Sequence, residues 1–312
     1  MIAVIGCGYW GRNLIKNFHD LSSLSCVYDL DKNLQNKFSK KYKINELSWK
    51  EILESKKIKG CVVSTNAETH YSIVKELINN GKNVFVEKPI CLDIEEAKEL
   101  NRLSKENGSV LMVGHLLRYH DHFKRLEKLI KENGFGEIKK IRSTRKSFGK
   151  LRFNEDVIWS FAPHDISMCI ALTGNGIRDL KVLRKKFFSG ITDSANISFS
   201  SGNIPIEIDV DWTSYEKLHR FEVYMEKGIV VFEDSASESN KKLFQIKMGF
   251  NQENLTRKQD LEKEYITDFS YSEPLKNECK HFLDCIQNKT EPITNANEAI
   301  EVLKVLVECE KN

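Results

Sequence analysis

The sequence has no apolar run approaching the ~20 residues a helix needs to cross a bilayer. It also has no excess of one charge. Its 48 Lys and Arg stand against 45 Asp and Glu, giving a net charge of +3, and the signs are interspersed. A nucleic-acid or membrane-surface protein would carry a basic stripe, so neither partner is expected. No charged segment, apolar stretch and cleavage site precede the first strand-like residues, and the chain reads as cytoplasmic. The eight cysteines include no CxxC pair. Cys7, Cys26, Cys61, Cys91 and Cys169 sit beside apolar or strand-like residues and are expected as buried free thiols. "CKHFLDC" (Cys279, His281, Cys285) and "HDH" (His120, His122) lack a second ligand pair at zinc-site spacing, so no metal is expected. Repeats and low-complexity linkers are absent too. Only "EDSASESNKK" (233–242) reads as a solvated polar loop.

The 312 residues suit two domains. The chain opens "MIAVIGCGYWGRNLIKNF". "IAVI" is a short buried strand, and Leu14, Ile15, Phe18 and Leu21 then recur at helical spacing. Gly6, Gly8 and Gly11 therefore fall on a strand-to-helix turn. Gly6 permits the turn, Gly8 lets a pyrophosphate approach, and Gly11 lets the helix pack on the strand. The free N–H groups of the helix start favour an anion there. Tyr9 and Trp10 lie in the same turn and are expected against the cofactor. The next strand, "LSCVYD", ends in Asp29, where a carboxylate accepts hydrogen bonds from ribose hydroxyls. That carboxylate repels a 2′-phosphate and Asp31 adds to it. Lys32 is the sole nearby cation, so the pattern favours NAD over NADP.

Strand and helix patterns continue to alternate through "KGCVVST", "NVFVEKP" and "SVLMVGH", as in a doubly wound parallel sheet. Ligands of such sheets sit beyond the carboxyl ends of the strands. "STNAETH", "EKP" and "GHLLRYH" occupy such ends. After about residue 135 the pattern changes to long strand candidates with Gly, Asn and Ser turns. These predict one mostly antiparallel sheet in an α+β domain. One helix, "PHDISMCIALTG", interrupts them and two close the chain. The expected domains are 1–120, a Rossmann domain, and 121–312, the α+β domain. The C-terminal helix is a candidate to pack back on the first.

"VIGCGYWG", "THYSIVKELINNGKNVFVEKP", "VGHLLRYH" and "VIWSFAPHDIS" together resemble the glucose–fructose oxidoreductase / inositol dehydrogenase / MocA (Gfo/Idh/MocA) family, over nearly the whole chain. The resemblance implies a Rossmann domain, then an α/β domain that binds substrate and whose large, open-faced sheet forms a homodimer or homotetramer. It also implies NAD(P)-dependent oxidation or reduction of a hydroxyl or keto carbon on a sugar-like substrate. Glu87-Lys88-Pro89 falls at a strand end. Pro89 keeps Lys88 extended, and in the family the peptide bond before this Pro is often cis. A Lys there can donate to the reacting oxygen. His164 aligns with the family's catalytic histidine. Pro163 places it at a helix N-terminus, where the dipole disfavours imidazolium and suits a general base. Neighbouring Asp165 pulls the other way.

Many family members carry an Asp four residues before this His; here Ser160 stands there. "WSFAPHDIS" instead resembles branches that oxidise the 3-hydroxyl of a UDP-N-acetyl sugar or its uronic acid, in polysaccharide or lipid A biosynthesis. Thr65, Asn66, His70 and Glu87 are expected on the cofactor, with Asn66 where many relatives have Pro. Arg118 and Tyr119 are candidates for substrate hydroxyls or phosphate, or for a packed linker. Arg145 and Arg152 are candidates for a diphosphate, or for a solvated face. Trp159 suits packing or substrate stacking. An inositol or simple-sugar dehydrogenase and a non-catalytic NAD(H) sensor are the alternatives.

Overall fold

The computed structural model describes every residue except 133, 149–154, 175, 249–261 and 312. Two compact units emerge. One comprises Met1–Tyr119 and Glu273–Lys304; the other comprises His120–Ser272 and the chain from Val305 on.

The first unit runs β1 (Ile2–Ile5), α1 (Gly11–Asp20), β2 (Leu24–Tyr28), α2 (Lys32–Tyr42), β3 (Asn45–Glu46), α3 (Trp49–Glu54), β4 (Gly60–Val63), α4 (His70–Asn79), β5 (Asn83–Glu87), α5 (Ile94–Glu106) and β6 (Leu111–Gly114). Its sheet has the order β3-β2-β1-β4-β5-β6, with every pairing parallel. β1, β4 and β6 are buried at every residue. That explains their continuous apolar runs, since both faces of a parallel sheet are covered. Strand order reverses between β1 and β4, the switch point where such sheets open a crevice.

Between β2 and β4 the structure adds two helices that hydrophobic periodicity does not reveal. Local capping explains both. Asp31 accepts from the Asn33 and Leu34 N–H groups at the start of α2. Ser48 and Glu51 form a reciprocal capping box on α3.

The second unit contains α6 (Asp121–Lys131), β7 (Ile138–Phe148), α7 (Val157–Thr173), β8 (Ile177–Lys185), β9 (Ser194–Ser201), β10 (Ile204–Asp211), β11 (Thr213–Met225), β12 (Gly228–Glu233), β13 (Leu243–Lys247) and β14 (Glu264–Tyr265). Its sheet has the order β14-β13-β12-β11-β7-β10-β9-β8. β10 and β7 run parallel and the other pairs antiparallel. α7 packs on β7, β9 and β10, over buried Ile141, Ile197, Ile206, Ile208 and Val210. Alternate residues of β7 point the other way, where Lys140 pairs with Glu207 (2.9 Å) and Lys146 with Asp209 (2.5 Å).

Two helices end the chain, α8 (Pro274–Asn288) and α9 (Ala296–Lys311). α8 returns to the first unit, where Leu275, Cys279 and Phe282 join the core of Leu14, Phe18 and Phe85. The Phe282 ring meets Phe18 and Phe85 edge-on at 6.4 and 5.8 Å. The first unit is thus discontinuous in sequence, because the apolar face of α1 is completed by a helix about 260 residues on.

Candidate functional site

The β1–α1 turn is built for close approach. Gly6 has φ +94°, and a Cβ there would lie 2.5 Å from the Ser64 carbonyl oxygen. A Cβ on Gly11 would collide with the Gly6 carbonyl, whereas one on Gly8 would meet nothing within 4 Å. Two glycines are therefore fixed by packing, and the third leaves the backbone open to a ligand. Asp29 follows β2 and turns its carboxylate toward this turn, accepting from the Cys7 N–H at 2.7 Å and the Asp31 N–H at 2.9 Å. Burial and the Asp29 charge push the Cys7 thiol up to about 12, so it stays protonated. Bare backbone at Gly8, donors at a helix start and an oriented carboxylate fit a dinucleotide.

Tyr9 is 79% exposed, with Arg12 4.4 Å from its ring centre. Trp10 points inward, and its Nε1–H donates to Glu87 Oε1 at 2.5 Å. Glu87 ends β5 and lies against β6, where a Cβ on Gly114 would sit 2.8 Å from its Oε2. Burial pushes the Glu87 carboxyl up to about 7, against the Trp10 hydrogen bond and the charge of Lys88. Lys88 follows at the carboxyl end of β5, and its bond to Pro89 is cis.

After β4, the Thr65 and Thr69 hydroxyls are joined at 2.8 Å, and Asn66 is exposed. His70 is buried, with Nδ1 2.8 Å from the Pro89 carbonyl and Nε2 3.2 Å from that of Thr65. Burial holds its ring below the ordinary value. A neutral ring has one N–H, best placed on Nδ1, so His70 ties the loop after β5 to the loop after β4.

Arg118 and Tyr119 lie in a short 3₁₀ turn after β6. Tyr119 is a core residue whose hydroxyl pairs with Thr294 Oγ1 at 2.7 Å, and Thr294 in turn donates to the Val113 carbonyl. Arg118 is buried with Nη1 3.9 Å from Glu298, which also takes His115 Nδ1 at 2.6 Å. The structure therefore places Tyr119 as packing in the first unit, with its phenol turned to the C-terminal segment.

One residue of this unit escaped the sequence reading. Glu278 of α8 is 0% exposed, and neither carboxyl oxygen has a hydrogen-bond partner among the described residues. Burial and then the Glu87 charge push it far above the ordinary carboxylate range, so it carries its proton. Its only sequence signal is a charge on the apolar face of α8, three residues after Leu275 and four before Phe282.

In the second unit, α7 begins at Val157. The Asp156 carboxylate caps it, accepting from Ile158 and Trp159 N–H at 3.0 and 3.1 Å. Pro163 lies inside the helix, not in its first turn. His164 is therefore two turns in, beyond the reach of the positive helix end, and the dipole argument for a neutral ring does not apply. Ser160 is buried one turn before His164, on the same face. Trp159 donates to Glu310 Oε1 at 2.9 Å, which makes it a tie to α9.

Arg145 is not a solvated or diphosphate-facing cation. It is buried, its Nε and Nη2 donate to Asp165 at 2.7 and 3.1 Å, and its Nη1 faces His219 Nδ1 at 3.4 Å. Ser143 Oγ adds a third bond to Asp165 at 2.7 Å. Arg152 lies outside the described residues. The polar stretch 233–242 is also more than a solvated loop. Asp234 there takes Lys242 at 2.7 Å and His120 Nε2 at 3.4 Å. These partners hold Asp234 below the usual carboxylate range despite its burial.

All eight cysteines are buried free thiols. Among the described residues no cluster of His, Cys, Asp and Glu could hold a metal, and no helix is long and apolar enough to cross a membrane.

Residues 1–115 match the family described as oxidoreductase family, NAD-binding Rossmann fold (Gfo/Idh/MocA). The 2,7-anhydro-N-acetylneuraminate hydratase of Escherichia coli (strain K12) is 33% identical over 147 residues, which are 46% of this chain and 39% of that protein. The UDP-N-acetylglucosamine 3-dehydrogenase of Acidithiobacillus ferrooxidans is 26% identical over 196 residues, 62% of this chain and 60% of its own length. The chain thus spans less than two thirds of either curated relative. The solved structure of the latter enzyme superposes with a TM-score of 0.85 at 20% identity, covering 98% of this chain and 95% of that one, which shows a shared fold. The segment carrying the glycine turn, Asp29 and Lys88 is thus the part of the chain that matches the NAD-binding Rossmann fold of the Gfo/Idh/MocA oxidoreductases.

Proposed function

We propose that this chain is an NAD-dependent dehydrogenase that moves a hydride between nicotinamide and a ring hydroxyl of a sugar, at C3 of a UDP-N-acetylhexosamine or its uronic acid. The observation that carries the reading is Lys88. It stands at the carboxyl end of β5, on the side of the switch point where a Rossmann sheet receives the nicotinamide half of the cofactor. NAD supplies the hydride acceptor. Lys88 donates a hydrogen bond to the reacting oxygen and stabilises its developing charge. His164 takes the hydroxyl proton on its imidazole nitrogen as general base. Asp29 and the turn at Gly6, Gly8 and Gly11 hold the cofactor.

The substrate class draws on the 3-dehydrogenase relative and on Ser160, which replaces the Asp of the polyol pattern. Arg145 is no part of this proposal, because its charge is met by Asp165. A second copy of the chain is proposed to cover the open face of the large sheet, which also leaves Phe148 and Leu183 79% and 71% exposed.

The test is incubation with NAD and a panel of UDP-sugars, free sugars, myo-inositol and an anhydrosugar, with products read by mass spectrometry. Loss of two mass units from a UDP-sugar, with free sugars inert, is expected. Turnover of inositol or glucose alone would replace the substrate class, and a gain of water without net oxidation would replace the reaction type. His164→Asn and Lys88→Ala are each expected to lower turnover ~100-fold with NAD affinity little changed; near-normal turnover would remove that residue from the mechanism.

A further inference from the structure

The residue after His164 is a buried carboxylate. Beside a general base, an uncompensated negative charge stabilises imidazolium and withdraws the base at neutral pH. Asp165 is 1% exposed, yet each of its oxygens is answered. Oδ1 accepts from Ser143 Oγ and Arg145 Nη2, and Oδ2 from Arg145 Nε. The two donors come from alternate residues of β7, so one strand face presents a hydroxyl and a guanidinium fork to one turn of α7.

We infer that Arg145 is a positioning residue: it fixes the turn of α7 that carries His164 and cancels the Asp165 charge, leaving His164 free to accept a proton. The inference rests on the reading of His164 as the base. It assigns Arg145 to the protein's own machinery instead of to a substrate anion.

Several elements surround the pair. The inner faces of β9 and β10 present mainly apolar side chains to α7, among them Ile197, Phe199, Ile208 and Val210, with Ser201 on the Gly174 carbonyl at the helix end. Asp193 lies beside Trp212, whose ring meets Phe161, and is met by the Trp212 Nε1–H and by donors of residues 187–189. From β7 comes Arg145. From β11 come His219 and Lys217, and Asp234 follows β12. On α7 itself stand Asp156, which caps the helix, and Cys169, whose thiol burial keeps protonated. His219 is held down to about 4 by burial, then by Arg145 and Lys217. It therefore adds no charge near neutral pH and can accept from Arg145 Nη1. Asp234 is met by Lys242 and His120. Asp165 and Arg145 form the charge pair at the turn of α7 that carries His164.

The experiment follows the His164 imidazole by NMR titration in the full chain. Its resonance is assigned by its loss in His164→Asn, and pH–rate profiles are recorded in parallel. Arg145→Met leaves Asp165 uncompensated and is expected to raise the His164 midpoint by about one pH unit, moving the acid limb of the rate profile with it. Asp165→Asn leaves the guanidinium and is expected to lower it by a similar amount. The double variant is expected near the parent. Should Arg145→Met not fold, the rise from Asp165→Asn to the double variant makes the same comparison. A merely structural pair would lower turnover in both single variants without opposite midpoint shifts, and shifts in one direction, or none, would overturn the inference. Normal turnover in His164→Asn would instead remove the base reading, while opposite NMR shifts would still stand.

Discussion

Replacing Glu278 by Met should stabilise the protein, an uncommon result for a fully buried position. Glu278 is 0% exposed and its two carboxyl oxygens have no hydrogen-bond partner among the described residues. A buried polar group left unmatched costs ~1–3 kcal/mol. Met is of similar length and volume, so the swap removes that cost while keeping the packing of α8. The gain should depend on pH, with a definite sign. Glu278 is pushed far above the ordinary carboxylate value of 4.5 by burial and by Glu87. Above that ordinary value the unfolded chain releases the proton and the folded chain keeps it. The parent therefore loses ~1.4 kcal/mol per pH unit as pH rises through the window between the two values. The variant lacks this loss. Its advantage should be smallest near pH 5, close to ~1–3 kcal/mol, and should widen toward pH 8. Urea unfolding at a series of pH values reads both terms. Glu278→Gln, which keeps the polar atoms but cannot ionise, should show the flattened pH dependence without the full gain at pH 5. Destabilisation of the Met variant, or a difference that does not change with pH, would refute the reasoning.

Asp29→Ala should weaken NAD binding and relax selectivity against NADP by ~1–2 kcal/mol each, the scale of one or two charge-assisted hydrogen bonds; calorimetric titration of both cofactors checks this, and a parent protein that already prefers NADP would contradict it. Asp193→Asn should destabilise the second unit by ~1–3 kcal/mol at neutral pH, since this buried carboxylate accepts from the N–H groups of Phe187 and Phe188, from Ser189 Oγ and from Trp212 Nε1. These bonds hold it below the ordinary value of 3.8 despite burial, so its contribution is present above that value and lost as pH falls; thermal melts of parent and variant should converge in strong acid.

What could be read from the sequence depended on how local the cause was. β1, β4, β5 and β6 announce themselves because a strand covered on both faces is apolar throughout. The glycine turn is legible because each glycine answers a separate steric demand. α2 and α3 were hidden, since their identity rests on capping by Asp31 and Ser48 and not on an apolar stripe. The sequence raises a return to the first unit only for the last helix, α9, and not for α8, because an amphipathic helix does not state which surface it covers. At the candidate site, Gly6, Gly11, Asp29 and Lys88 follow from local pattern. Arg145, Tyr119 and Glu278 do not, because each is defined by a group in another element: Asp165 and Thr294 as hydrogen-bond partners, and Glu87 as a like charge.

The start of α7 shows how one boundary changes the chemistry. Pro163 suits a first helical turn, and from there the helix dipole would keep His164 neutral. The chain instead begins the helix at Val157, with the Asp156 side chain as its cap. Pro163 then costs the helix one N–H, the one that would reach Trp159. The dipole acts within the first turn and is spent on Asp156 itself. Side-chain charge then bears on His164, and the nearest in sequence is Asp165, which alone would favour imidazolium. If His164 is the base, as proposed, the guanidinium of Arg145, fixed by its fork on that carboxylate, is the group placed to offset that charge. On that account the ion pair is retained for its effect on a neighbour more than for stability, to which buried pairs of this kind contribute little against an apolar replacement.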